Sequence, residues 1–569
     1  MIKIKRKIFF IFYYLLLGAL LCYTRLIGLD WGLPYPMHPD ERNMAVAIQQ
    51  LSCEIEFKKF DFQNCFNPNF FAYGQFPLYF SYILIWTKKG FNDFGNILIS
   101  FNEAIIALRL ISAFSSIFSA IITLEILKII TKKERLWWLL IIIFSPFFIQ
   151  FAHFGTTESL LMLFYLLLIY FSLLFFEKKI NLKKLIFFTS FVFGLSLATK
   201  ASSFIYFFIP LFIIFFTKEK TFHQKFFYSI YLLACSLFFF LFFSPHNFIS
   251  WPNFISSLKY ESDVALGNIS VFYTQQFDYS LPIFFQLFKI IPFALSIIGI
   301  LGVLGIIKLI IKNKNNKKIL FLFFAFLIYF LPNTFIFTKW TRFLAPVFPL
   351  ILIFGILFLE EIRFFLIKFL FIFISIIFGL AYLSIYNKPD VRFSASDWIF
   401  KNIPQGSYIL SETANVIDIP ILNPKIKNFN QAINKNYKIV SFNFYDLDKN
   451  KELQKELAYH LQKADYIFIP SRRIFANYTC LWPEKKYNFF EKLSYKKDRC
   501  INLENKFPNL NQYYKDLFSG NLGFKKVAEF SSYPKISFFG KTIFEFFDER
   551  AEETWTVFDH PVIRIYKRD

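Results

Sequence analysis

Apolar side chains come in long runs from Phe9 to Tyr386, broken by short basic clusters rather than by alternating polar residues. A bilayer span needs about 20 mostly apolar residues. Reading the runs against their charged breaks predicts helices over 8–28, 104–130, 136–152, 159–176, 185–199, 203–217, 226–243, 286–311, 319–338, 343–359 and 364–386. These eleven segments predict a polytopic α-helical membrane protein. With the N-terminus inside, the breaks Lys3–Lys7, Lys132–Arg135, Lys178–Lys184, Lys218–Lys225, Lys312–Lys318 and Arg363–Lys368 all fall on the cytoplasmic face of a cell membrane, as basic loops prefer. The first run reads as a retained helix, because no small-x-small cleavage site follows it. Residues 29–103, 153–158, 244–285 and everything after Tyr386 then lie outside.

Beyond Tyr386 no run could cross a bilayer, and Asn, Lys, Glu and turn residues return. The expected division is a membrane domain, 1–386, with its first outer loop at 29–103, and an extracytoplasmic α/β domain, 387–569. In the latter, Ser394–Asn402 and Lys449–Gln462 read as helices, and Ser407–Leu410, Lys438–Phe444, Tyr466–Pro470 and Val562–Tyr566 as strands, without a phosphate-binding glycine loop.

Composition agrees: 56% hydrophobic and 18% charged residues exclude a soluble globular enzyme. The 87 Phe reflect compositional bias and are given no function. The net charge of +23 lies largely in the inner loops, where anionic lipid explains it better than nucleic acid does. Of six cysteines, Cys22 and Cys235 fall in spans, while Cys53 with Cys65 and Cys480 with Cys500 form two local outer pairs suited to disulfides.

Candidate chemistry begins at Tyr35-Pro36-Met37-His38-Pro39-Asp40-Glu41-Arg42-Asn43, two adjacent carboxylates just beyond the first span, with proline on both sides of His38. The competing reading makes Asp40 the cap of a helix over 41–51 with Glu41 in its first turn. The second outer turn carries His153 and Glu158. Glu158 either binds a ligand or serves in a helix cap begun by Gly155 or Thr156, and His153 is more simply a satisfied buried histidine. In the tail, Asp559-His560-Pro561 reads as a turn feeding the last strand.

An acidic pair in the first outer loop, about eleven spans and an outer C-terminal domain resemble the C-type membrane glycosyltransferases. Within these the chain is similar to family 39, the protein O-mannosyltransferases, and to the aminoarabinose transferases of lipid A. Phe71-Ala72-Tyr73-Gly74-Gln75-Phe76-Pro77, Arg109-Leu110-Ile111-Ser112, Gly194-Leu195-Ser196-Leu197-Ala198-Thr199-Lys200 and Thr338-Lys339-Trp340-Thr341-Arg342-Phe343 carry the likeness. It implies a polyprenyl-phosphate sugar donor and an extracytoplasmic protein, lipid or glycan acceptor, with transfer by inversion. It further implies Asp40 as general base and Glu41 orienting it or binding acceptor; Arg109, Lys200, Lys339 and Arg342, outer cations that run against the positive-inside trend, are the candidate ligands for the leaving phosphate, with snorkelling side chains as the competing reading. Glu158, His153, His38, Tyr73 and Gln75 stand as substrate or metal contacts, with a divalent cation an open cofactor. A transporter or flippase would instead show paired inverted repeats with Gly/Pro-broken helices at midmembrane, a symmetry the sequence does not show. A scaffold anchored by the spans is the third reading.

Overall fold

The computed structural model describes the chain except residues 1, 54–60, 62, 92–93, 218–219, 313–314, 414–416, 423–435 and 484–488, together with the side chains of 2–12 and 489–491. The basic side chains of Lys3–Lys7, and Lys218 and Lys314 of two other inner breaks, lie outside the described residues.

Every predicted span is helical. Among the described residues eight helices are long and apolar enough to cross a membrane: Phe101–Thr131, Glu158–Phe176, Leu182–Thr199, Phe222–Phe243, Gln286–Lys312, Lys317–Phe335, Thr341–Glu361 and Phe365–Leu383. The pair Leu136–Ile143 and Pro146–His153, bent by 48° at the break before Pro146, makes a ninth if taken as one span. Tyr13–Leu26 and Ala201–Phe216 are shorter apolar helices at the two remaining predicted positions. Side chains such as Phe226, Phe238 and Phe242 on Phe222–Phe243 stay exposed, as a lipid-facing helix requires. Where helices meet, small residues bring the backbones together: a Cβ on Gly302 would stand 2.3 Å from the Ile351 carbonyl oxygen.

The outer segments pack as well. Cys53 is bonded to Cys65 and Cys480 to Cys500. The C-terminal part is an α/β layer whose strands are β1 (Tyr408–Glu412), β2 (Lys438–Phe442), β3 (Tyr466–Ile469), β4 (Phe524–Phe530), β5 (Lys535–Phe538), β6 (Lys541–Glu545) and β7 (Ile563–Arg568). One sheet has the order β2-β1-β3-β7-β4, and β5 with β6 forms a separate hairpin. Strands β1, β2 and β3 are parallel, whereas β7 runs antiparallel to both β3 and β4. Helices Val391–Asn402 and Lys451–Lys463 fall where the sequence predicts them. The unpredicted β4 carries mostly exposed and partly exposed residues after its first, an edge strand without a clean apolar alternation.

The segment Asp548–His560 lies against the membrane part. Gln150 donates to the Trp555 carbonyl at 2.7 Å, Tyr386 donates to Asp559 at 2.7 Å, and the Thr341 N–H donates to Glu552 at 3.0 Å. His560 sits between Asp559 (2.5 Å) and Asp548 (2.9 Å), all three buried. The turn before β7 is therefore also an ion cluster at the seam, which the sequence reading of 559–561 did not include.

Candidate active site

The first outer loop enters its helix, Pro39–Gln49, through His38, which is the N-cap; its Nδ1 accepts from the Asp40 N–H at 3.2 Å. Burial pushes the His38 imidazole below its usual range and keeps that nitrogen an acceptor. Asp40 is thus not the cap, and its carboxylate is left for other partners. The reading of Asp40 as the capping residue is corrected by this geometry.

The two adjacent acids go to different places. Glu41 is buried and paired bidentately with Arg109, at 2.9 Å from Nε to Oε1 and 2.8 Å from Nη2 to Oε2, and it also accepts the Gly155 N–H. Arg109 Nη1 donates to the carbonyls of Leu29 and Trp31, both at 2.8 Å, and the guanidinium lies over the Trp31 ring at 4.3 Å. With four of its five N–H groups engaged, Arg109 joins the first loop, the second span and the 155 turn, and is poorly placed to hold a phosphate.

Asp40 instead pairs with Arg342 across 302 residues, at side-chain exposures of 22% and 21% that leave both reachable. Tyr73 donates to the Asp40 carboxylate and stands 3.5 Å from Arg342 Nη1. Burial alone would raise the Asp40 carboxyl, but Arg342, with His38 and Lys200, outweighs it and holds the group down at about 2. Arg342 keeps its Nε–H buried without a partner, and the neighbouring Thr341 hydroxyl is likewise unpartnered. Lys200 carries its ammonium over the rings of Tyr73 (4.9 Å) and Phe343 (5.4 Å), with no side-chain hydrogen bond or ion pair among the described residues. The backbone explains this meeting: Gly74 donates to the Thr199 carbonyl at 2.9 Å, so close that a Cβ there would stand 2.0 Å from the Ala198 oxygen, and Tyr73 is thereby set beside Lys200.

Glu158 begins its helix after Thr157, which makes no side-chain cap, so neither Gly155 nor Thr156 forms the alternative capping motif. The carboxylate is buried and lines a small cavity with His38, Thr156, Thr341, Arg342 and Phe558. Phe558 and Thr554 come from the C-terminal part, and Phe558 packs on His38 at 4.3 Å between ring centres. No local sequence signal marks them, since their place depends on the Asp548–His560 segment folding back. Glu261, on helix Trp251–Leu266, adds a carboxylate whose charge acts on Lys200 and Arg342.

The other predicted residues lie elsewhere or serve packing. Gln75 donates to Asn247 at 3.1 Å and accepts from the His246 N–H at 3.0 Å, tying the first loop to the 244 segment. His153 is buried, bonded to the Ile149 and Ile27 carbonyls and stacked on Tyr386 at 3.7 Å, so it is not open to a ligand. Lys339 donates to the Ile336 and Phe337 carbonyls at 3.0 and 2.9 Å, at the end of the preceding helix. Among the described residues no group of three or more His, Cys, Asp or Glu could hold a metal ion. Beside the site, an apolar groove of about 760 Å³ runs between helices Phe76–Lys88, Phe101–Thr131 and Glu158–Phe176, lined by Phe76, Phe80, Leu110, Phe114 and Phe164.

Residues 94–251 match the family model described as dolichyl-phosphate-mannose-protein mannosyltransferase. No curated protein matches the chain by sequence. Among solved structures, ArnT from Cupriavidus metallidurans bound to undecaprenyl phosphate is 14% identical with a TM-score of 0.44, over 69% of this chain and 65% of that one. Its apo form gives 10% and 0.45, over 82% and 93%. The Archaeoglobus fulgidus oligosaccharyltransferase, in complex with Zn and sulfate, gives 10% and 0.40, over 82% and 69%. The family match bears out the sequence resemblance to mannosyltransferase-type membrane glycosyltransferases, in an integral membrane protein.

Proposed function

We propose that this protein transfers a sugar from a polyprenyl-phosphate donor to an acceptor outside the cell membrane, with inversion, and that Asp40 is the general base. The observation that carries the reading is the Asp40–Arg342 pair: a reachable carboxylate beside a guanidinium with an unused N–H and an ammonium, Lys200, that makes no ion pair among the described residues. The membrane part, 1–386, would hold the donor, with its N-terminus cytoplasmic, and the outer part, 387–569, would close over it. The apolar groove beside Phe76 is of the right character for the lipid tail.

The pair suggests how donor binding would ready the base. An Asp held at about 2 by Arg342 is a weak proton acceptor. A donor phosphate drawn to Arg342 and Lys200 competes for the guanidinium, and the loss of that partner raises the proton affinity of Asp40. The acceptor hydroxyl then gives its proton to Asp40 as its oxygen bonds to the anomeric carbon. The bond from that carbon to the phosphate oxygen breaks on the opposite face, and the leaving phosphate keeps its electron pair against the two cations.

The test is a transfer assay with purified wild type and Asp40→Asn, labelled polyprenyl-phosphate sugars and an envelope extract. Label entering the extract with wild type alone supports the reading. Equal labelling by a folded Asp40→Asn protein removes Asp40 from the chemistry, and no labelling with any donor from folded wild type moves the assignment to a transporter.

A further inference from the structure

A second cavity, about 710 Å³ in volume, opens between the C-terminal part and the outer segment before helix Gln286–Lys312. Among the described residues its wall carries six basic side chains, Lys289, Arg472, Lys492, Lys496, Lys497 and Arg499, and one acidic one, Glu552. Glu552 is itself held by other groups. Its oxygens accept from Gln276 Nε2 at 2.9 Å, from the Thr341 N–H at 3.0 Å, and from the N–H and hydroxyl of Thr554 at 3.1 and 2.5 Å, all neutral donors.

Two of the cations are buried with no ion-pair partner among the described residues. Arg472 donates to the Ala551 carbonyl at 2.6 Å and to the Thr556 hydroxyl at 3.5 Å. Arg499 donates at 3.3 to 3.5 Å to the carbonyls of Asp278 and Asn477 and to the Cys480 sulfur, with its guanidinium over the Tyr495 ring. The nearby Asp278 carboxylate is taken by Lys506 at 2.9 Å. A guanidinium removed from water without a counter-ion is unfavourable, and clustering like charges around one cavity adds repulsion. An oxyanion in the cavity would relieve both.

The walls are fixed. The Cys480–Cys500 disulfide lies in them, and the two chain segments are pinned by the Leu281 N–H to the Ser494 carbonyl at 2.9 Å and the Lys496 N–H to the Tyr279 carbonyl at 2.8 Å. Glu552 also links the cavity to the candidate active site, because the N–H it accepts belongs to Thr341, next to Arg342. We propose that this cavity binds an oxyanion, a phosphate or carboxylate carried on the acceptor, and so selects anionic acceptors. Selection rests on the transferase reading, whereas oxyanion binding does not.

Inorganic pyrophosphate is the first probe, titrated against full-length protein in neutral detergent. The Arg342→Gln background weakens the other cationic site, and adding Lys496→Gln and Lys497→Gln removes two exposed cations whose loss spares the fold. Binding that persists in Arg342→Gln and weakens at least tenfold in the triple variant is the expected result. Equal affinity in the two would overturn the site even if transfer is real, and binding without any transfer would leave the site standing while the transferase reading fails. A second arm separates the sources of the oxyanion by displacing pyrophosphate. Displacement by a soluble phosphorylated or uronic-acid glycan supports the acceptor assignment. Displacement by phosphatidylglycerol vesicles but not by such a glycan overturns it in favour of a lipid headgroup.

Discussion

Asp40 and Glu41 are neighbours in the chain with opposite surroundings. Glu41 is sealed against Arg109, with both side chains about 1% exposed and two parallel hydrogen bonds joining them. Asp40 faces Arg342 at about a fifth exposure, beside an unused N–H and an ammonium that makes no ion pair among the described residues. A helix turns about 100° per residue, so consecutive side chains on Pro39–Gln49 cannot share an environment. One acid is committed to holding the first loop against the second span, and its neighbour is left where a ligand can reach it. Completeness of partners, rather than acidity or position in a motif, separates the architectural ion pair from the chemical one.

The largest test of that contrast is Asp40→Asn, expected to lower transfer by about 10² to 10⁴ fold with little change in unfolding temperature. Glu41→Gln should do the reverse in kind: leaving the Arg109 charge buried and unpaired costs about 3–5 kcal/mol, read as a lower midpoint in thermal unfolding. If Glu41→Gln unfolds like wild type but transfers poorly, the roles assigned to the two acids are exchanged.

A third, smaller effect tests the seam that lays Phe558 on His38. Burial would push His560 down, but Asp559 and Asp548 outweigh it and hold the imidazole up at about 10 against an ordinary 6.5. A group raised in the folded state stabilises fully below about 6.5, and that contribution is lost as pH rises through about 10. Thermal stability of wild type should therefore fall across that window, with a shallower fall in His560→Gln, where Tyr386 and Gln150 still bond Asp559 but no proton is released. Parallel curves for the two proteins would remove His560 as the cause.

What the sequence conveyed follows from the range of the interactions. The eleven apolar segments and the β1, β2, β3 and β7 positions were legible because hydrophobic runs and local patterns specify them, and Asp40 stood out as a charge where charge is costly. The Glu41–Arg109 pairing was not, since 68 residues separate the partners and both looked available. Arg342 was singled out as a phosphate ligand, but its contact with Asp40 is 302 residues long-range and has no local signature. The Asp548–His560–Asp559 cluster was read as a turn because Asp548 and Tyr386 reach it only through the folded seam.

The smallest effects separate two outer lysines that the sequence treated alike. Lys200 rests on aromatic rings with no ion pair among the described residues, so Lys200→Met removes a charge available to the donor phosphate; a charge-assisted hydrogen bond is worth about 1.5–3 kcal/mol, and the donor KM should rise about tenfold or more. Lys339 already serves the carbonyls that end helix Lys317–Phe335, where a cation contributes about 0.3–1 kcal/mol. Lys339→Met should therefore lower stability slightly and leave the donor KM unchanged. Burial holds the Lys339 ammonium down at about 8 against an ordinary 10.5, so the unfolded chain holds the proton more tightly and stability should rise with pH across that window, a drift that Lys339→Met would abolish. If instead Lys339→Met raises the donor KM as much as Lys200→Met does, the phosphate is drawn toward the 336–339 turn as well. Completeness of partners would then fail as the criterion that tells a binding cation from a structural one.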